Sequence, residues 1–170
     1  MVSKNELLKL FKRVKLIVFD FDGVFTDNRV LVMQDGREGV FCSRSDGLGI
    51  KMLNKTGVKL RVISAENNPV VKARCKKLRL VCIQGCKDKL RALEKEMKLL
   101  GVSSKETAYV GNDVNDLECL RTVFLPIGVA NSRADIVGAV KYITENEGGN
   151  GAVRELCDLV LEVEKRRSKK

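Results

Sequence analysis

The stretch Leu16-Ile17-Val18-Phe19-Asp20-Phe21-Asp22-Gly23-Val24-Phe25-Thr26-Asp27 decides how the rest of the chain is read. Its apolar, β-prone start predicts a buried strand, and the two acids and the glycine that follow place carboxylates beyond the strand's C-terminal end. That is the edge at which open parallel sheets hold their chemistry. If the extended conformation continued, alternation would put Asp20 and Asp22 on one side, close enough to share a cation. Asp-Gly is also ordinary turn chemistry, so the rest of the chain has to supply the context.

Downstream, strand and helix patterns alternate. An amphipathic helix over residues 4–15 leads into the first strand. After Asp27, Arg29-Val30-Leu31-Val32-Met33 and Glu38-Gly39-Val40-Phe41 flank Gln34-Asp35-Gly36-Arg37, a β-hairpin insertion over 28–42 beside the acidic loop. A helix opens near Ser45-Asp46, with Asp46 read as its cap, and stops at Gly57. Val58–Ile63 reads as a strand, Pro69–Leu78 as a helix, Leu80–Ile83 as a strand and Lys89–Leu100 as a helix closed by Gly101. Thr107–Val110 is a strand that runs into Gly111-Asn112-Asp113-Val114-Asn115-Asp116 and a helix through Leu120. Val123–Val129, a helix near Arg133–Val140, Tyr142-Ile143 and a helix from Ala152 to about Glu164 complete the pattern. This alternation specifies an α/β fold with a mostly parallel sheet, right-handed crossovers and helices on both faces. At 170 residues it fits one domain.

Composition narrows the function. With 44% hydrophobic and 32% charged residues the chain is globular in type. No apolar run is long enough for a bilayer span and the start lacks a signal peptide's apolar core, so the expected location is cytoplasmic. Of the net charge of +10, five positives sit in the tail 165–170, which is expected to be frayed and solvated; the remaining 27 basic and 22 acidic residues are interleaved. Aromatics are 5% with no Trp, which argues against a nucleic-acid surface. The six cysteines form no CxxC pair and are expected reduced. There is no histidine, so proton transfer must fall to carboxylates, lysine or water.

Four strand ends carry polar groups: Asp20 and Asp22; Ser64; the loop up to Lys89; and Asn112, Asp113 and Asp116. A parallel sheet gathers such ends on one edge. The carboxylates suit a hard cation, Mg2+, while a hydroxyl and an ammonium suit a phosphate. Together they read as a phosphoryl-transfer site.

These motifs, in this order, resemble the haloacid dehalogenase superfamily of phosphatases over nearly the whole chain. The stretches FDGVFTD, SDGLGIKML, QGCKDKL, AYVGNDVNDLECL and GGNGAVRELCD are similar to its small capless branch of sugar-acid phosphatases, which also includes a non-catalytic assembly domain of animal CMP-sialic acid synthetases. The resemblance implies Asp20 as nucleophile and Asp22 as general acid and base. It implies Ser64 and Lys89 as phosphate ligands, and Mg2+ on Asp20, the Asp22 carbonyl and an acid of the fourth motif. The family often has Gly-Asp-Asp where this chain has Gly111-Asn112-Asp113, which leaves open whether Asp113 or Asn112 touches the metal. Asp116 then fits an outer role toward metal-bound water or Lys89. Glu66 and Arg74 match a pair near the sugar in nonulosonate 9-phosphate phosphatases, and Arg154 and Arg44 are further candidates. The implied substrate is therefore a nonulosonate (sialic acid-type) 9-phosphate, with 3-deoxy-octulosonate 8-phosphate as alternative and an idle assembly domain as the rival of another class. A homotetramer through the hairpin is the implied assembly.

Overall fold

The computed structural model describes residues 1–167. Helix α1 (Lys4–Phe11) precedes strand β1 (Leu16–Phe19), the hairpin β2 (Thr26–Val32) and β3 (Glu38–Cys42), and α2 (Arg44–Leu53). Then come β4 (Lys59–Ile63), α3 (Pro69–Leu78), β5 (Val81–Ile83), α4 (Lys89–Leu100) and β6 (Thr107–Gly111). Last are α5 (Leu117–Thr122), β7 (Leu125–Gly128), β8 (Tyr142–Ile143) and α6 (Ala152–Arg167). The sheet order is β5-β4-β1-β6-β7-β8, and every pairing in it is parallel. From β1 the chain moves outward to β4 and β5 and then returns to β6 on β1's other side. The switch point therefore lies between β1 and β6, where such sheets leave a crevice at the strands' C-terminal ends.

Side-chain alternation divides the core into two layers. Ile17 and Phe19 of β1, Leu60 and Val62 of β4 and Ala108 and Val110 of β6 face one cluster, shared with α1, α2, α3 and α6. Leu16, Val18, Ile63 and Tyr109 face the other, with Leu93, Met97 and Leu120 of α4 and α5. Because β1 is buried on both faces, its four residues have no polar alternation.

Several boundaries differ from expectation. Helix α1 stops at Phe11, and Val14 turns into the core to start the approach to β1. In α2 the cap is Ser43, whose hydroxyl accepts from the Ser45 and Asp46 amides; Asp46 lies inside the first turn and is fully buried. The 134–139 segment is a 3-10 helix. Helix α6 continues to Arg167, because Arg166 pairs with Glu162, and Arg167 reaches Glu164 and the Lys12 carbonyl. The tail is thus helical as far as Arg167; Lys169 and Lys170 lie outside the described residues. All six cysteines are unpaired, with Cys75, Cys119 and Cys157 buried. No helix among the described residues is long and apolar enough to cross a membrane.

Candidate active site

Strand β1 ends at Phe19 and the chain turns immediately: the Val24 and Phe25 amides donate to the Phe21 carbonyl at 3.3 and 2.8 Å. Asp20 and Asp22 are therefore carried by a turn, not by the extended chain that would have aligned them. Two backbone devices shape this loop. The Thr26 hydroxyl accepts from the Gly23 and Asn28 amides at 3.0 and 3.2 Å. Gly23 has φ +79°, and a Cβ there would run into the Asn112 carboxamide.

Asp20 is buried, and its Oδ1 accepts from the Phe21 amide at 2.8 Å and lies 2.9 Å from Lys89 Nζ. Lys89, the first residue of α4, is equally buried and also donates to Asp116 Oδ1 at 2.8 Å. Asp116 is inaccessible and accepts from Tyr109 Oη at 2.8 Å and from the Asn112 and Asp113 amides at 3.0 and 3.4 Å. Gly111 leaves room for it, since a Cβ there would sit 2.6 Å from the Asp116 side chain. Burial opposes the Lys89 charge, but Asp20 and Asp116 outweigh it and raise the ammonium's pKa. Burial first, and then the Asp116 charge, push Asp20 up to about 7 against the pull of Lys89. Two carboxylates to one ammonium leave a negative charge in a dry crevice, an arrangement that favours a cation.

Asp22 is half-buried, and burial followed by the Glu66 charge raises its pKa, while Lys89 and the Ser64 hydroxyl oppose the shift. Ser64 is fully buried at the end of β4. Its amide donates to the Ile83 carbonyl and its carbonyl accepts from the Cys86 amide, which ties the second loop to the third. The chain thus brings Asp20, Asp22, Ser64, Lys89, Asn112 and Asp116 to one edge.

Among the described residues no three His, Cys, Asp or Glu side chains cluster as a metal site. The oxygens on offer are of another kind. Asn112 is buried and its Oδ1 has no hydrogen-bond partner, whereas Asp113 Oδ1 accepts from the Val114 amide at 2.7 Å, capping its own short helix. A partnerless amide oxygen beside a buried carboxylate with excess negative charge is a donor set suited to a hard cation such as Mg2+.

Glu66 lines a groove of about 290 Å³ with Asp22, Asn28, Arg29, Glu38 and Asn68. Arg74 does not join it: Nη2 donates to the Ser43 carbonyl at 2.7 Å, under the start of α2. Arg154 is paired with Asp158 on α6, and Arg44 lies on the α2 side with Arg74, so none of the three arginines reaches the Asp20 edge within this chain. Sequence reading missed Tyr109, although a lone phenol inside an aliphatic strand signals a buried hydroxyl in need of a partner. The glycine loop before α6 was marked only by the GGNGAVRELCD resemblance, without the support it gives the Asp22 turn through Gly148 and Gly149. The Gly149 amide donates to the Val24 carbonyl at 2.9 Å, and a Cβ on Gly148 would lie 2.6 Å from the Gly23 carbonyl carbon.

A parallel sheet whose switch point holds a buried carboxylate–ammonium–carboxylate group, a hydroxyl and a free oxygen donor defines a phosphoric monoester hydrolase. Residues 50–156 match the model of the haloacid dehalogenase-like hydrolases, and the chain belongs to that family, in its capless sugar-acid phosphatase branch. The 3-deoxy-D-manno-octulosonate 8-phosphate phosphatase KdsC of Salmonella typhi is 31% identical over 161 residues, covering 94% of this chain and 85% of its own. The crystal structure of the Moraxella catarrhalis 3-deoxy-D-manno-octulosonate 8-phosphate phosphatase, in complex with magnesium ion, phosphate ion and KDO, is 34% identical with a TM-score of 0.92; 98% of this chain and 97% of that one are covered. The cobalt-bound Haemophilus influenzae enzyme is 30% identical, with a TM-score of 0.87 and 94% of each chain covered.

Proposed function

We propose that this chain is a Mg2+-dependent phosphatase that removes the terminal phosphate of a keto-deoxy sugar acid, 3-deoxy-octulosonate 8-phosphate before others. The observation that carries the chemistry is the buried Asp20–Lys89–Asp116 group at the switch point. The relatives' activity supports the eight-carbon substrate.

Asp20 attacks phosphorus through its carboxylate, the P–O bond to the sugar breaks, and Asp22 gives its proton to the departing alkoxide. The raised pKa of Asp22 suits a group that must hold that proton. Asp22 then takes a proton from the water that hydrolyses the aspartyl phosphate. Lys89 uses two N–H groups on Asp20 and Asp116 and keeps a third for a phosphoryl oxygen; the Ser64 hydroxyl offers another donor. The Asp20 carboxylate, the Asp22 carbonyl and Asn112 Oδ1 would hold Mg2+, which supplies charge neutralisation for the phosphoryl group when bound.

A homotetramer through the hairpin fits the same reading. Val30, Leu31, Val32 and Phe41 are exposed by 51, 51, 62 and 67%, an apolar surface that a β-hairpin alone does not cover. A sedimentation measurement that finds only monomers would contradict it.

The nine-carbon nonulosonate 9-phosphate is kept as a second reading by Glu66, a carboxylate in the groove beside Asp22. Phosphate release from both substrates, with and without Mg2+, decides between them. A higher kcat/KM on the octulosonate ester is expected; a clear preference for the nonulosonate ester reverses the assignment.

A further inference from the structure

The positive surplus is not spread evenly, as the interleaved sequence led one to expect. Six cationic side chains, Arg44, Lys51, Lys55, Arg74, Lys77 and Arg79, line a single cleft of about 760 Å³ between α2 and α3, and no Asp or Glu contributes to its walls. None of the six forms an ion pair among the described residues. Arg74 interacts at longer range with Asp46, yet its Nε is buried without a hydrogen-bond partner.

Helix termini explain only part of this. Both α2 and α3 end at the cleft, and each C-terminus offers about half a negative charge, roughly one in total against six positive. Like charges held together without counter-charges repel, so the cluster opposes folding unless an anion joins it. The cleft is also preformed: Asn54 Nδ2 donates to the Leu78 carbonyl at 3.1 Å, joining the two helix ends. Arg79 caps α3 with a left-handed backbone, φ 58°, a position that glycine fills more easily, and it brings a sixth cation to the rim.

The cleft runs along α2 away from the catalytic edge. Helices α2 and α3 lead back to the N-terminal ends of β4 and β5, whereas Asp20 and Ser64 stand beyond strand C-termini. Its volume is that of a small-molecule site, and its cations converge on a concavity instead of following a stripe. Leu48, 51% exposed, and Leu78 form an apolar wall beside the charges.

We propose that this cleft is a second, non-catalytic site for a nucleoside triphosphate. The phosphate chain lies among Lys51, Lys55, Lys77 and Arg79, and the sugar and base lie over Leu48 and Leu78. The site is independent of the phosphatase chemistry and of its substrate.

Calorimetric titration of the full chain in EDTA tests this with ATP, inorganic tripolyphosphate, adenosine and an acidic peptide. The expected result is saturable binding at one ATP per chain, tighter than tripolyphosphate and far tighter than adenosine. Affinity should fall by about tenfold or more in Lys51→Gln/Lys77→Gln, with the folded circular dichroism and phosphate turnover of that variant retained. The exposed Arg79→Gln should also weaken binding. Absence of saturable ATP binding, an unchanged affinity in both variants, equal affinity for tripolyphosphate and ATP, or tighter binding of the acidic peptide would each overturn the proposal.

Discussion

Exchanging Asp116 for Asn keeps the side chain's shape and removes its charge at a point without solvent. The carboxylate receives Lys89 Nζ and Tyr109 Oη on one oxygen, both at 2.8 Å, and the Asn112 and Asp113 amides on the other. An amide has one acceptor oxygen, so two of these four donors would face an NH2 group. A buried donor without an acceptor costs about 1–3 kcal/mol, and breaking a buried ion pair costs about 3–5 kcal/mol. Lys89 retains Asp20 at 2.9 Å, which limits the damage and sets the expected loss for Asp116→Asn at about 3 kcal/mol. Urea unfolding at neutral pH measures it. In a cycle with Lys89→Met the two losses should overlap by about 1–3 kcal/mol, since removing the ammonium already removes the charge that Asp116 balances. A loss below about 0.5 kcal/mol, or strictly additive losses, would refute the reasoning.

Three further outcomes are expected. Asp46 is fully buried and its pKa is pushed up to about 6, chiefly by burial, from 3.8. Its protonated form is favoured in the folded state, so its stabilising contribution is complete below pH 3.8 and is lost as pH rises through about 6. Asp46→Asn should therefore gain on the order of 3 kcal/mol relative to the parent between pH 3 and 7, read from paired unfolding curves; a difference independent of pH would contradict this. Gly148→Ala drives a Cβ into the Gly23 carbonyl and should cost about 1–3 kcal/mol of stability together with a fall in kcat, because the displaced loop carries Asp22; unchanged turnover would contradict it. Asn112→Asp adds a charge where the partnerless oxygen lies and should lower the Mg2+ concentration for half-maximal activity, whereas an increase would exclude Asn112 as a ligand.

Much of the fold was legible because periodicity changes cleanly along the chain. Pro69 and Gly101 mark a helix start and a helix end where the structure has them, and the all-apolar Leu16–Phe19 run is what a doubly covered strand requires. The site's four loops could be gathered from sequence because a parallel sheet aligns its strand ends. What escaped depends on contacts distant in sequence. Asp46 reads as a cap, but Ser43 takes that place, and the aspartate instead accepts from the Arg154 amide 108 residues away. Glu66 lies before α3 begins and Arg74 within it, so a spacing of eight carries no helical meaning; Glu66 lines the groove beside Asp22 while Arg74 binds the Ser43 carbonyl. The difference between Asn112 and Asp113 lay in backbone geometry, which turns one carboxylate toward its own helix and leaves the neighbouring amide oxygen without a partner.

Phosphate release by Asp20→Asn, set beside the parent with and without Mg2+, tests most directly whether this carboxylate is the nucleophile. The parent should turn over a keto-deoxy sugar acid phosphate only when Mg2+ is supplied, and the folded variant should lose activity by a factor on the order of 10³ or more. Undiminished turnover by the variant, or a parent that releases no phosphate from any sugar-acid ester with Mg2+ present, would contradict it.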